Sequence, residues 1–137
     1  MKCAICGKEI KGVGHNPSPF RGTRPFRGTR CCDECNKYVI ITRRFLSGLQ
    51  TNMIMILGTD NSVSFQLNRT KENVTLKELQ KWVGGFIEMY PLEDDKFYYI
   101  VDEEGLLKER PYNELANDLF GIDVVGNLLV VPKQLMN

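Results

Sequence analysis

Two Cys-x-x-Cys pairs constrain this chain more than any other feature of its sequence. Cys3 and Cys6 form the first pair, and Cys32 and Cys35 form the second. Two thiolates separated by two residues can bind one metal ion from a tight turn, and two such pairs complete a tetrahedral shell. Gly7 follows the first pair directly and allows the positive φ that such a turn needs. The spacing predicts a structural zinc site, although the gap between the pairs is longer than the usual ~15–20 residues.

Disulfide bonds are the main alternative to a metal site. Five cysteines are an odd number, and the chain starts with Met-Lys-Cys and no apolar segment, so nothing marks it for secretion into an oxidising compartment. The sequence leaves undecided whether two further residues, Cys31 and His15, are metal ligands. Cys31 can replace Cys32 or pack as a buried thiol, and His15, the only histidine, can bind the metal or remain outside the site. We expect zinc as the cofactor and the four paired cysteines as its ligands.

The length and composition allow one modest hydrophobic core. With 137 residues, of which 42% are hydrophobic, the sequence fits a small metal-binding module followed by one compact domain. No apolar run in the sequence approaches the ~18 residues that a membrane-spanning helix needs. We therefore expect a cytoplasmic protein with no membrane partner.

The net charge of +1 hides two parts of opposite charge. Residues 1–45 contain ten Lys and Arg against three Asp and Glu, a formal +7, and residues 46–137 contain eight against fourteen, a formal −6. The first part remains basic when four thiolates and a divalent ion are included. It can bind an anion, or it can dock onto the acidic part of the same chain.

A tandem repeat fills the segment between the two cysteine pairs. The hexapeptide Pro-Phe-Arg-Gly-Thr-Arg occupies residues 19–24 and recurs without change at residues 25–30. Its aromatic and guanidinium groups suit phosphate or stacked bases, and the candidate ligand-binding residues are Phe20, Phe26, Arg21, Arg24, Arg27 and Arg30. Two alternatives stay open: a duplication tolerated in an exposed loop, and an intramolecular contact with the acidic part.

The residues after the second cysteine pair predict a helix that begins at the metal site. Asp33 and Glu34 favour its first turn, and Ser47-Gly48 mark its end. Apolar side chains recur at steps of three and four residues, at Tyr38, Ile41, Phe45 and Leu49. This arrangement is typical of a treble clef or zinc ribbon, in which the helix N-terminus favours thiolate charge. We assign residues 1–48 to this zinc-binding module.

Residues 49–137 predict a compact mixed α/β domain with about five to six strands and two helices. Strands are expected at residues 53–57, 63–67, 86–90, 97–101, 124–125 and 128–131. Thr75 and Glu78 form a capping box for a helix that ends at Gly84-Gly85, and Asn113 caps a shorter helix. The acidic turns at 91–95 and 102–105 are expected to face water. The whole chain is therefore expected to be an α+β protein.

Several segments of this domain resemble a known family. They are the run 74–90 with its core Val-Gly-Gly-Phe-Ile-Glu, the turn Asp-Glu-Glu-Gly at 102–105, Arg-Pro-Tyr-Asn-Glu-Leu-Ala at 110–116, and Ile-Asp-Val-Val-Gly at 122–126. Together they resemble an uncharacterised domain of unknown function found in phages, plasmids and integrated elements. Gly-His-Asn-Pro at 14–17 and the second cysteine pair are similar to a zinc module of small phage proteins, in which the intervening loop is shorter. The resemblance implies roles in host takeover, replication control or counter-defence, and no activity.

The sequence offers few groups for catalysis. One histidine provides no acid–base pair, and four cysteine ligands leave zinc no open position for water. Acidic clusters at 93–95 and 102–104 can bind Mg²⁺ beside a phosphate, but such turns are more often solvated. Cys31 has no identifiable base beside it in the sequence. We therefore expect a protein that is not an enzyme.

Binding is thus the expected function. The first hypothesis is a phage-type accessory protein that binds and neutralises a host signalling nucleotide or a host defence protein. It rests on the Arg-rich loop, on the pair Gly84-Gly85, which lets a backbone approach a ligand, and on a basic edge with Lys108 and Arg110; a helix C-cap also explains the glycines. The alternative is a zinc-dependent nucleic-acid-binding protein in phage or mobile-element regulation. A third interpretation is a protein adaptor or homo-oligomer.

Overall fold

The structure of the protein is a computed structural model that describes residues 1–20, 29–48, 52–68 and 73–136. Within these residues the chain forms three α-helices, one five-stranded antiparallel sheet and a terminal 3-10 helix, Lys133–Met136. The predicted α+β class is confirmed. The chain divides into two compact units, Met1–Leu49 with Asp118–Phe120, and Gln50–Asn117 with Gly121–Asn137. Among the described residues, no helix combines the length and the apolar character that crossing a bilayer requires.

The first unit contains helix α1, which spans Asp33–Leu46. Cys32 is the N-cap of α1. The helix carries acidic residues in its first turn and basic residues in its last turn, an arrangement that complements the helix dipole. Its buried side chains are Val39, Thr42 and Phe45. The predicted stripe is therefore displaced, because Tyr38 is 50% exposed. Leu49, the last member of that stripe, lies outside the described residues.

The second unit is built on the sheet, whose strand order is β2-β1-β5-β4-β3. The strands are β1 Met53–Leu57, β2 Val63–Leu67, β3 Ile87–Met89, β4 Phe97–Asp102 and β5 Leu128–Pro132. All five residues of the central strand β5 are buried, and β2 and β3 form the two edges. The register pairs Tyr99 and Met55 with Val130, so these side chains share one face.

Helix α2, Leu76–Val83, packs on the opposite face of the sheet. Thr75 and Glu78 form the predicted capping box, with reciprocal bonds between each side chain and the other residue's backbone N–H. The helix ends at Gly84, whose φ of 88° is left-handed. Its core contacts are with a cluster of buried apolar side chains from three strands: Ile54, Ile100, Leu129 and Val131 meet Leu79 and Val83.

Helix α3, Glu114–Phe120, is held at its start by a buried amide. The side-chain oxygen of Asn113 accepts a hydrogen bond from Ala116 N, and its nitrogen donates to the carbonyls of Leu57 and Gly126. The strand predicted at 124–125 is not formed in the described structure. Val125 makes only an isolated bridge with Tyr112, because the left-handed turn at Gly126 follows at once.

Candidate functional site

The four paired cysteines meet at one point of the first unit. The sulfurs of Cys3, Cys6, Cys32 and Cys35 all lie within 4.8 Å of one another. A tetrahedral shell with metal–sulfur bonds of ~2.3 Å requires sulfurs about 3.8 Å apart, and Cys6 Sγ lies 3.8 Å from Cys32 Sγ. This spacing is too long for a disulfide bond and fits a shared ion. The four cysteines could therefore hold a metal ion.

Backbone N–H groups surround the buried sulfur of Cys3. Ile5 N and Cys32 N each lie 3.4 Å from it, and Cys6 N lies at 3.5 Å. The turn closes through Gly7, whose φ of 79° is left-handed and whose N–H donates to Cys3 O. Burial by itself would raise the pKa of Cys3, but these N–H groups lower the pKa to about 6. The knuckle therefore favours a thiolate at this position.

The pKa values of two further thiols, those of Cys35 and Cys6, are raised. Burial raises the pKa of Cys35, and the neighbouring Cys32, Cys3 and Cys6 sulfurs raise it further. Burial also raises the pKa of Cys6. A cation shared by the four sulfurs would remove this repulsion, since metal binding releases the protons.

Cys31 and His15 lie outside the metal-binding group. The two residues pair through their backbones, with Cys31 N donating to His15 O at 2.7 Å and His15 N donating to Cys31 O at 2.9 Å. The Cys31 side chain is fully buried, and burial beside Cys3 raises the pKa of its thiol. The Nε2 atom of His15 lies 2.6 Å from Asp33 Oδ1. Within the described structure, both residues thus have structural partners.

The Arg-rich repeat lies mostly outside the described residues, which exclude Arg21, Arg24, Phe26 and Arg27. The two remaining candidates have internal positions. Phe20 is 3% exposed, and the guanidinium of Arg30 donates to the carbonyls of Val13 and Gly14 at 3.3 and 3.1 Å. A ligand-binding role for the repeat stays a prediction.

The other four candidate ligand residues come together in the second unit, around Asp102. Lys108 Nζ and Arg110 Nη2 each lie 3.1 Å from Asp102 Oδ2, and Arg110 Nη2 also donates to Gly84 O at 2.8 Å. A Cβ atom on Gly85 would clash with Lys108 Nζ and stand 3.0 Å from both Asp102 oxygens. Gly84 and Gly85 therefore make room for this cluster, whose cations are bound within the chain. Binding of an outside ligand by these residues also stays a prediction.

Asp102 is the centre of this cluster, a position that the sequence did not reveal. It was expected in a solvated turn, yet its side chain is fully buried, and Glu104 N donates to its Oδ1 at 2.9 Å. Burial alone would raise the pKa of Asp102, but this N–H and the neighbouring Lys108 and Arg110 charges hold the pKa below its ordinary value. Alternation along β4 gave no such signal, because Val101, on the opposite face from Ile100 and Asp102, is buried as well.

An open groove of about 630 Å³ lies beside this cluster, over the β3–β4 end of the sheet. Its main apolar lining comes from Tyr90, Leu106, Leu107, Tyr112, Val124 and Val125. Leu106 and Leu107 are 82% and 85% exposed, which is unusual for two adjacent leucines beside an apolar surface. Four of the described lining residues are acidic, namely Glu88, Asp102, Glu103 and Asp123, and none of those described is Lys or Arg.

Comparison with known proteins identifies the second unit. The search of curated proteins and the search of solved structures each found no match to the chain. One family matches residues 54–134, which is more than half of the sequence and includes the whole groove. The chain therefore belongs to the family described as Domain of unknown function (DUF3846).

Proposed function

We propose that the protein is a non-catalytic accessory protein of a phage or mobile element that captures and neutralises a host defence protein in the host cytoplasm. The observation that carries this proposal is the apolar groove with its two exposed leucines. Monomeric soluble proteins seldom expose adjacent large apolar side chains on a concave surface unless a partner covers them. The phage setting rests on the sequence resemblance described above.

The charge of the groove favours a protein over a signalling nucleotide. A nucleotide needs cations or N–H donors for its phosphates, whereas the lining, within the part of the chain that the structure describes, contains four acidic side chains and no Lys or Arg. The nearest cations, Lys108 and Arg110, are held by Asp102 and by the carbonyl of Gly84. Phosphate would therefore be repelled from the groove.

The metal ion of the first unit is zinc in this proposal. Four thiolates form a soft, tetrahedral donor set that suits zinc or an iron–sulfur centre. When bound, zinc would cross-link the two cysteine knuckles, held by Cys3, Cys6, Cys32 and Cys35. A shell of four protein ligands leaves no position for a reacting water, which supports a structural ion and a protein without an activity of its own.

The test is to express the protein in a bacterial host that carries an anti-phage defence system. The readout is the plating efficiency of a phage that this defence system restricts. The wild-type chain is compared with the groove variant Leu106→Asp/Leu107→Asp and with the control Leu67→Asp/Leu76→Asp. Leu67 and Leu76 are also exposed, at 53% and 56%, but do not line the groove. Wild type and control should restore plating and the groove variant should not. Equal phage plating with all three proteins would contradict the proposal.

A second candidate function, nucleic-acid binding by the first unit, is favoured by its surface cations. Five exposed side chains of this unit have no ion pair among the described residues: Lys2, Lys8, Lys11, Lys37 and Arg44. Such a surface attracts a phosphate backbone. Fluorescence anisotropy with short DNA and RNA tests it, because true binding should weaken steeply with salt and with Lys11→Glu/Lys37→Glu. Salt-independent binding, or none at low salt, would rule it out.

A further inference from the structure

Strand β3 leaves one edge of the sheet open. It is the last strand in the order β2-β1-β5-β4-β3, and within the described chain only β4 pairs with it. The ladder with β4 extends beyond its three residues, since Glu103 N donates to Phe86 O and Tyr90 N donates to Tyr99 O. Five residues, 86–90, are therefore held in an extended conformation at this edge.

The outward-facing backbone groups of this edge follow from the hydrogen-bond pattern. In an antiparallel pair, alternate residues direct both their N–H and their C=O toward the partner strand. Phe86 and Tyr90 bond to β4, so Ile87 and Met89 direct their N–H and C=O groups away from it. These two residues present two donors and two acceptors at the spacing of a strand.

The groove lies on the same edge. Glu88 and Tyr90 line it from β3, while Leu106 and Leu107 line it from the turn that follows β4. Side chains of a strand alternate between the two faces of a sheet. A chain added beside β3 would therefore place every second side chain over the groove, next to the two exposed leucines.

The charge of the groove specifies that chain further. Glu88, Glu103 and Asp123 line the groove, and no Lys or Arg is among its described lining residues. Asp102 with its partners Lys108 and Arg110 carries a combined +1, so the groove together with this cluster keeps about two negative charges. An incoming segment that carries both apolar and basic side chains matches the leucines and the carboxylates together.

We infer that the groove binds an extended peptide segment of a partner protein, rich in apolar and basic residues, which adds to β3 as a sixth strand. Main-chain bonds to Ile87 and Met89 supply affinity, and the groove selects the side chains. This inference deepens the proposed capture of a host protein and rests on it for the source of the peptide. The recognition itself depends only on the edge and the groove.

The experiment uses the full zinc-loaded chain and a capped peptide of about seven residues, in which valine and lysine alternate at every second position and threonine stands between them, so that one face carries both side chains. We expect saturable binding in titration calorimetry that weakens with added salt. Hydrogen exchange measured by NMR should slow at the Ile87 and Met89 amides on binding. The uncharged variant Leu106→Asn/Leu107→Asn should bind at least about tenfold more weakly, and the control Leu67→Asn/Leu76→Asn should bind like wild type.

Three results would overturn the inference. One is peptide binding that leaves exchange at Ile87 and Met89 unchanged. Another is equal binding of the same peptide with glutamate in place of lysine. The third is a dimer in sedimentation velocity whose Ile87 and Met89 amides are already protected without peptide, which would assign the edge to a second copy of the chain. If peptide adds to β3 but phage plating is unaffected, the host target is wrong and the site stands. If plating depends on the groove but no peptide binds, the peptide site is wrong and the proposed capture of a host protein stands.

Discussion

Replacement of Asp102 by asparagine should destabilise the second unit by about 2–3 kcal/mol. Asparagine keeps the size of the side chain and an acceptor for Glu104 N, but its amide nitrogen would face Lys108 and Arg110 in place of Oδ2. Hydrogen bonds to charged groups contribute ~1.5–3 kcal/mol each. Both cations are about one-third exposed, 35% and 33%, and can turn toward water, so the low end of that range applies to each.

The effect of this substitution should depend on pH. The pKa of Asp102 is held below its ordinary value by the Glu104 N–H and the two cations, which outweigh burial. A carboxylate with a depressed folded pKa stabilises the fold above its unfolded pKa of ~3.9 and loses that contribution as pH falls through the folded pKa. The difference between wild type and Asp102→Asn should therefore be full near neutral pH and should shrink below about pH 4.

Urea unfolding followed by tryptophan fluorescence measures this difference. Trp82 is the only tryptophan of the chain and packs against the core cluster of the second unit, so its signal reports on that unit. Asp95→Asn is the matched control, because Asp95 is exposed. The reasoning fails if Asp102→Asn and Asp95→Asn unfold at the same urea concentration at neutral pH, or if the difference persists unchanged in acid.

Three further substitutions test other parts of the structure. Cys32→Ser should abolish stoichiometric zinc in mass spectrometry and unfold the first unit, since structural zinc contributes ~10–16 kcal/mol in small metal-binding modules; Cys31→Ser should retain the ion. Asn113→Ala should cost about 3 kcal/mol in urea unfolding, because it removes three hydrogen bonds of a buried amide; unchanged stability would contradict that role. Thr42→Val should raise stability by about 1 kcal/mol in thermal unfolding, since the buried Thr42 hydroxyl has no hydrogen-bond partner among the described residues; a loss would show that the hydroxyl is satisfied.

Local sequence signals predicted most of the fold. The capping box at Thr75 and the left-handed glycine that ends the same helix depend on a few adjacent residues, so the sequence contains all that they need. The buried face of α1, in contrast, could not be predicted from adjacent residues. Stripes through Tyr38 and through Val39 have similar spacing, and Thr42 counts as polar although it is buried. Only the surroundings of the helix decide which stripe faces inward.

The two candidate sites differ in how far the sequence could predict them. The metal-binding group depends on two short motifs with strict spacing, and the structure brings all four predicted sulfurs together. The groove depends on segments that are distant in sequence. Hydropathy does not distinguish Leu106 and Leu107 from core leucines, and their exposure follows from the turn that carries them.

That turn lies between the segments on which the family resemblance rests. The glycine pair ends α2, and the carbonyl of Gly84 accepts a hydrogen bond from Arg110. Asp102 binds the same guanidinium. Gly126 lies beside the aliphatic part of this side chain, since a Cβ on Gly126 would stand 3.5 Å from Arg110 Cδ. A Cβ on Gly105, within the turn, would stand 3.1 Å from Val125 Cγ2, which is a tight contact. These segments thus meet at Arg110, and their contacts fix both ends of the turn. Leu106 and Leu107 are therefore held beside the groove although they are not buried in a core.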